Sequence, residues 1–182
     1  MKGVSDAVVT AAQAGDGDAL ATIYEALAPR VMGYLRARGA EDPESLTNEV
    51  FLHVLVKLDR LEGGAGGLRT FVFSVAHARV VDETRQWARR PAQSSYEIEY
   101  DDRREPSAEA EALELVATRD TLELLEELNQ EQRAVITLRV LGDLSIEETA
   151  HVVGKSTGAV KQLQRRGLAT LRALLERGEQ AR

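Results

Sequence analysis

Cysteine is absent from the 182 residues, which excludes disulfide scaffolds, thiolate zinc sites and cysteine nucleophiles. Aromatic residues make up only 4% and prolines number four. With Ala, Leu, Glu and Arg abundant, this composition favours helices. No apolar run approaches the roughly 20 residues a membrane-spanning helix needs. Residues Met1 to Ala14 lack the basic segment followed by an apolar one that marks a secretory signal. A cytoplasmic chain without membrane insertion is therefore expected. His53, His77 and His151 show no short ligand spacing, so no metal or other cofactor is expected. The run Gly63-Gly64-Ala65-Gly66-Gly67 lacks the Lys-Ser/Thr ending of a phosphate-binding loop. Glu147 and Glu148 are adjacent on a helix and point apart. No catalytic residue is assigned, and an enzyme is not expected.

The formal charge of −7 runs against nucleic-acid binding until its distribution is considered. Residues 155–182 hold seven Lys or Arg against Glu176 and Glu179, a net of +5. Residues 91–115 hold eight acids against Arg103 and Arg104, a net of −6. The average conceals a basic C-terminal end and an acidic middle.

Apolar residues recur at three- and four-residue steps from about Asp18 to Arg38, through Leu20, Ile23, Tyr24, Leu27, Val31, Tyr34 and Leu35. Pro29 is expected to kink that stretch or open a second helix. A second helix is expected from about Pro43 to Leu61. The glycine run follows, read as a loop a helix would hardly tolerate. A third helix spans about Leu68 to Arg89, with Val72, Val75, Ala76 and Val80 as its buried stripe. Two prolines, several serines and dense acid mark residues 91–112 as a flexible linker, and helical pattern resumes near Ala110. The fold class expected is all-α: two small helical domains, residues 1–90 and 113–182, joined by the acidic linker.

The C-terminal part carries the most signal. Asn129 with Gln132, and Ser145 with Glu148, have capping-box spacing. Gly154 stops one helix, and Ser156 or Thr157 caps a longer basic one. A short helix, a glycine turn and a basic helix are the order of a helix-turn-helix. Its second helix would lie in the major groove. Val160, Leu163, Leu171 and Leu174 would pack inward, leaving Lys161, Gln162, Arg165 and Arg166 to meet bases or phosphates. The free N–H groups at Ser156, Thr157 and Gly158 suit a phosphate. An ordinary charged face of a helical bundle reads the same way on this fragment alone.

Two blocks resemble the bacterial extracytoplasmic-function (ECF) RNA polymerase sigma factors, of the sigma-70 superfamily, in the right order. Glu44-Ser-Leu-Thr-Asn-Glu-Val-Phe-Leu-His-Val-Leu, the glycine run and Leu68-Arg-Thr-Phe-Val-Phe-Ser-Val-Ala-His-Ala-Arg-Val-Val-Asp are similar to sigma region two. Leu128-Asn-Gln-Glu-Gln-Arg-Ala-Val-Ile-Thr-Leu-Arg, Gly142-Asp-Leu-Ser-Ile-Glu-Glu-Thr-Ala and Gly158-Ala-Val-Lys-Gln-Leu-Gln-Arg-Arg are similar to region four. The resemblance implies roles. Asn48, Glu49 and Leu52 would bind core RNA polymerase, or be a plain helix surface. Arg69, Phe71, Ser74, His77 and Ala78, with the glycine loop, would hold the melted minus-ten strand. Phe71 would otherwise be core and His77 a surface histidine. Arg85, Arg89 and Arg90 would meet backbone phosphate or end a solvated helix. Ser156, Thr157, Gly158, Lys161, Gln162, Arg165 and Arg166 would read the minus-thirty-five element. The partners implied are core RNA polymerase, promoter DNA and an anti-sigma factor.

The sequence departs from the family pattern at several positions. Ser45, Asn48, His77 and Ala78 stand where Asp, Gln, Arg and Asn are frequent, Phe71 where Trp is frequent, and Asn129 where Pro is usual. The turn glycine of the family falls at Asp143, with Gly142 one residue earlier. A regulator using the helix-turn-helix without polymerase is the main rival, and it leaves the first block unexplained.

Overall fold

The computed structural model describes residues 4–87 and 119–180, so the expected linker, Arg89 and Arg90 lie outside the described residues. Helix α1 (Asp6–Gln13) starts on Ser5, whose hydroxyl accepts from the Val8 N–H. It buries Val9 and Ala12. Asp16 caps α2 (Gly17–Ala37) by accepting from Asp18 and Ala19. Helix α2 runs without a break through Pro29 and buries Ile23, Leu27, Val31, Tyr34 and Leu35. The expected apolar stripe is the buried face from Ile23 onward, except that Tyr24 is 43% exposed and Leu20 only half-buried, and Pro29 opens no second helix. Asp42 caps α3 (Pro43–Lys57), with Pro43 in its first turn where its missing donor costs nothing. A 3₁₀ turn, Leu58–Arg60, follows.

Helix α4 (Gly64–Trp87) begins inside the glycine run, not after it. The cause is tertiary. Asp6 of α1 accepts from the Ala65 N–H at 2.8 Å, acting as a cap supplied from 59 residues away. Gly64 lies at φ +57, and a Cβ there would strike the Asp6 carboxylate. A Cβ at Gly67 would strike the Glu62 carbonyl oxygen. These glycines permit close approach rather than flexibility. Gln13 adds two donations, to the carbonyls of Leu58 (3.0 Å) and Leu61 (2.8 Å). Leu68, Val72, Phe73, Ala76 and Val80 form the buried stripe of α4.

The C-terminal lobe holds α5 (Arg119–Glu126), α6 (Gln130–Val140), α7 (Ile146–Val153) and α8 (Thr157–Gln180). Both capping boxes form as spaced, Asn129 with Gln132 and Ser145 with Glu148. Val135, Ala150 and Val160 make the core of the unit, joined by Ile146, Val153 and Leu163. A Cβ at Gly167 would come within 2.6 Å of Ile136 Cδ1, so α6 and α8 cross with almost nothing between them. Among the described residues the chain is helical, with no strand.

The two lobes touch. Leu138, Leu141 and Leu144 are buried in the same apolar cluster as Val31, Leu35, Leu68 and Val72 of the first lobe. Arg38 donates to the Gln130 carbonyl at 2.7 Å and Arg30 to that of Leu141 at 3.4 Å.

Candidate nucleic-acid interface

Three surfaces collect the residues singled out from the sequence. On α3, Asn48, Glu49 and Leu52 are exposed. Their polar groups are partly engaged: Tyr24 donates to Asn48 Oδ1 at 3.2 Å, and Glu49 lies 3.8 Å from Arg79. Leu52 is 65% exposed and Val56 80%. Beside them an apolar groove of about 270 Å³ runs between α2 and α3, lined chiefly by Leu20, Tyr24, Phe51, Val54 and Leu55. The signal for this surface was the run Val54-Leu55-Val56, too many apolar residues in succession for one buried helix face.

Helix α4 divides its expected residues among five environments. Ser74 and Ala78 share a face at four-residue spacing. With Asp82, Val75, Arg79 and His53 of α3 they line an open cleft of about 380 Å³. Phe71 is half-buried against the core, its ring 6.2 Å from that of His53. Arg85 is exposed. His77 turns the other way: its Nδ1 is 2.8 Å from the hydroxyl of Tyr34, itself fully buried. Burial, and then the positive charge of Arg38, hold the His77 pKa down to about 4, so the ring is neutral at neutral pH. Burial likewise pushes the Tyr34 hydroxyl well above its ordinary value. Arg69 turns to the C-terminal lobe, 3.7 Å from Asp143 and 3.6 Å from Glu148. The structure therefore brings Ser74 and Ala78 together and places Arg69 and His77 apart from them.

On α8, Ser156, Thr157, Gly158, Lys161, Gln162, Arg165 and Arg166 are all exposed. Ser156 Oγ accepts from the Ala159 N–H at 3.2 Å, capping the helix as spaced. Lys161 with Arg165, and Gln162 with Arg166, stand one turn apart. Val160 is buried beneath them, and Leu163, Leu171 and Leu174 are half-buried. Short helix α7 packs against α8 across Gly154, which is left-handed at φ +64. This is a helix-turn-helix whose second helix offers a basic, unobstructed N-terminal half.

Residues 124–173 match the sigma-70 region 4 family. Over 173 residues the chain is 34% identical to the ECF RNA polymerase sigma factor SigD of Mycobacterium tuberculosis (strain ATCC 25618 / H37Rv), covering 92% of this chain and 82% of SigD. The chain belongs to the ECF RNA polymerase sigma factor family. It is also 32% identical over 183 residues to ShbA of Streptomyces griseus, spanning 95% of this chain and 96% of ShbA. To BldN of Streptomyces coelicolor it is 32% identical over 170 residues, which is 92% of this chain and 64% of BldN; the chain spans less than two thirds of that relative. The solved structure of CnrH in complex with the cytosolic domain of CnrY has the same fold, with a TM-score of 0.65 at 22% identity over 94% of this chain and 96% of that one. No helix among the described residues of this sigma factor is long and apolar enough to cross a membrane.

Sequence reasoning missed four residues of the sigma factor that the geometry brings forward. Tyr34 partners His77, and Thr70 donates to Glu148 at 3.0 Å. His53 lines the α4 cleft, and Asp143 faces Arg69. These contacts join residues between 18 and 78 positions apart, which local pattern does not carry.

Proposed function

We propose that this sigma factor binds core RNA polymerase and directs it to promoters by reading a minus-ten and a minus-thirty-five element. Residues 1–90 act as region two, 113–182 as region four, and 91–112 as the linker that lets weak contacts at both elements act together through effective concentration. The observation that carries the reading is the face of α8, where Lys161, Gln162, Arg165 and Arg166 stand exposed over a buried Val160 within the stretch matching region 4. The exposed Leu52 and Val56 beside Asn48 and Glu49 supply the polymerase surface. Ser74 and Ala78 in the α4 cleft, with Arg85 beyond, supply the minus-ten surface. The protein works by binding, without catalysis, in the cytoplasm, and the exposed apolar surface of α3 also suits an anti-sigma factor that holds the free chain.

Titration of labelled protein into purified core RNA polymerase, followed by anisotropy with and without a promoter library, tests this. Tight binding to core with selective retention of some promoters is the expected result. Binding to duplex DNA but not to core would overturn it in favour of a regulator that works alone.

A further inference from the structure

We propose that α1 is a brace for strand recognition, in which Gln13 and Asp6 are positioning residues that hold the turn between α3 and α4 in the shape that receives the minus-ten strand. It rests on the reading of the glycine run and α4 as the surface for that strand.

Residues 58–67 leave α3, make the 3₁₀ turn and enter α4. Both ends of this segment are tied to α1. At the C-terminal end of α1, Gln13 Nε2 donates to the carbonyls of Leu58 at 3.0 Å and Leu61 at 2.8 Å, which engages both hydrogens of the amide. At the N-terminal end, about 10 Å away along the helix, Asp6 Oδ1 accepts from the Ala65 N–H at 2.8 Å. Carbonyls at the end of one helix and N–H groups at the start of the next have no partner inside their own helices. One short helix satisfies both sets.

Between the ties the backbone has a single path. Gly63 and Gly64 are left-handed, at φ +87 and +57. The Gly67 N–H donates to the Gly63 carbonyl at 2.9 Å, and a Cβ at Gly67 would strike the Glu62 carbonyl oxygen. Here glycine serves one tight conformation rather than many. Arg60, Glu62 and Gly63 are turned to solvent between the ties, with the Arg60 side chain 89% exposed. A turn that had to be ordered by the strand would lower affinity by the cost of ordering it. A braced turn removes that cost, because apparent affinity scales with the fraction of molecules already in the receiving shape. Gln13 and Asp6 act through the turn and need not touch the strand.

Hydrogen exchange on the wild-type chain tests the brace without polymerase, DNA or any variant. The Ala65 and Gly67 amides should be protected in the free protein; exchange at the rate of an open peptide overturns the proposal. Strand binding is then read on holoenzyme assembled from core polymerase and the full-length chain. The probe is a fluorescein-labelled single strand bearing the minus-ten sequence of a promoter retained in the core titration, beside a scrambled strand. Q13A and D6A should each weaken binding of the first strand about threefold to tenfold, the size of one lost hydrogen bond or two. Core binding and the scrambled strand should be unchanged. Q13K returns a donor and D6N an acceptor, and each should recover most of the wild-type affinity; circular dichroism verifies the fold of all four. Alanine variants that fold, bind core and keep wild-type discrimination between the strands overturn the brace, since α1 would then only stabilise its lobe. A loss that Q13K and D6N leave unrestored overturns it too. Wild-type holoenzyme that ignores the strand overturns the minus-ten reading and the brace with it, and is told apart because the wild type itself fails.

Discussion

His77 shows how one contact changes what a residue is for. From the sequence it is a candidate for the minus-ten surface, three positions after Ser74. In the fold it lies on the α2 side of α4, bonded to buried Tyr34, and protonating it would put a second cation beside Arg38. Its pKa is about 4 against an ordinary 6.5. Between those values the unfolded chain binds a proton that the folded chain refuses, so stability falls as pH is lowered through this window. Urea unfolding at pH 5 should give a stability roughly 2 kcal/mol below that at pH 7 from this group. His77→Gln keeps a partner for the Tyr34 hydroxyl and does not titrate, so its loss over the same interval should be clearly smaller. Equal losses in the two proteins would show that His77 is exposed in solution. Glu148 has the same sign but acts lower, because a depressed carboxyl loses its contribution only as pH falls through the carboxylate range.

At the scale of elements, what was legible was local. The two capping boxes, the stop at Gly154 and the inward set Val160, Leu163, Leu171 and Leu174 all form as spaced, because each involves residues within one or two turns. The start of α4 was not legible. Five residues with four glycines read as loop, yet Asp6 supplies the cap and the glycines admit it. Helix α1 was likewise unseen, since eight residues give too few turns for periodicity to register. Arg165→Ala or Lys161→Ala should weaken holoenzyme binding to a minus-thirty-five duplex by about 1–3 kcal/mol where the lost group reads a base, with relaxed sequence choice. Where it meets a phosphate, the loss is uniform across sequences and the salt slope falls by about 1. Anisotropy across a salt series distinguishes them. Arg172, exposed two turns beyond Arg165, should be near neutral when replaced by Ala. An equal loss there would mean that α8 meets DNA along its length rather than by its N-terminal half.

On the scale of the whole molecule, the lobes share an apolar cluster that no sequence pattern announced, because Leu141 meets Gly33 across more than a hundred residues. Charge is arranged with the same long reach. The basic end carries a net of +5 over residues 155–182, and the acidic stretch a net of −6 over residues 91–115 on the same chain. Tethering would keep their mutual concentration high whatever the protein concentration, and we predict that the acids compete with DNA phosphates for the basic face. Polymerase, by drawing the acids into a basic channel of its own, would remove the competitor when DNA must bind. Replacing Glu97, Glu99, Asp101 and Asp102 by their amides should therefore raise the affinity of the isolated protein for duplex DNA. The expected gain is about threefold to tenfold at 50 mM salt, fading toward 1 M, where the Debye length shrinks to roughly 3 Å. Mobility-shift titrations at the two salts measure it. An unchanged affinity at low salt would mean that the acids never meet the basic end in the free protein, and that the negative overall charge restrains DNA binding through its general field alone.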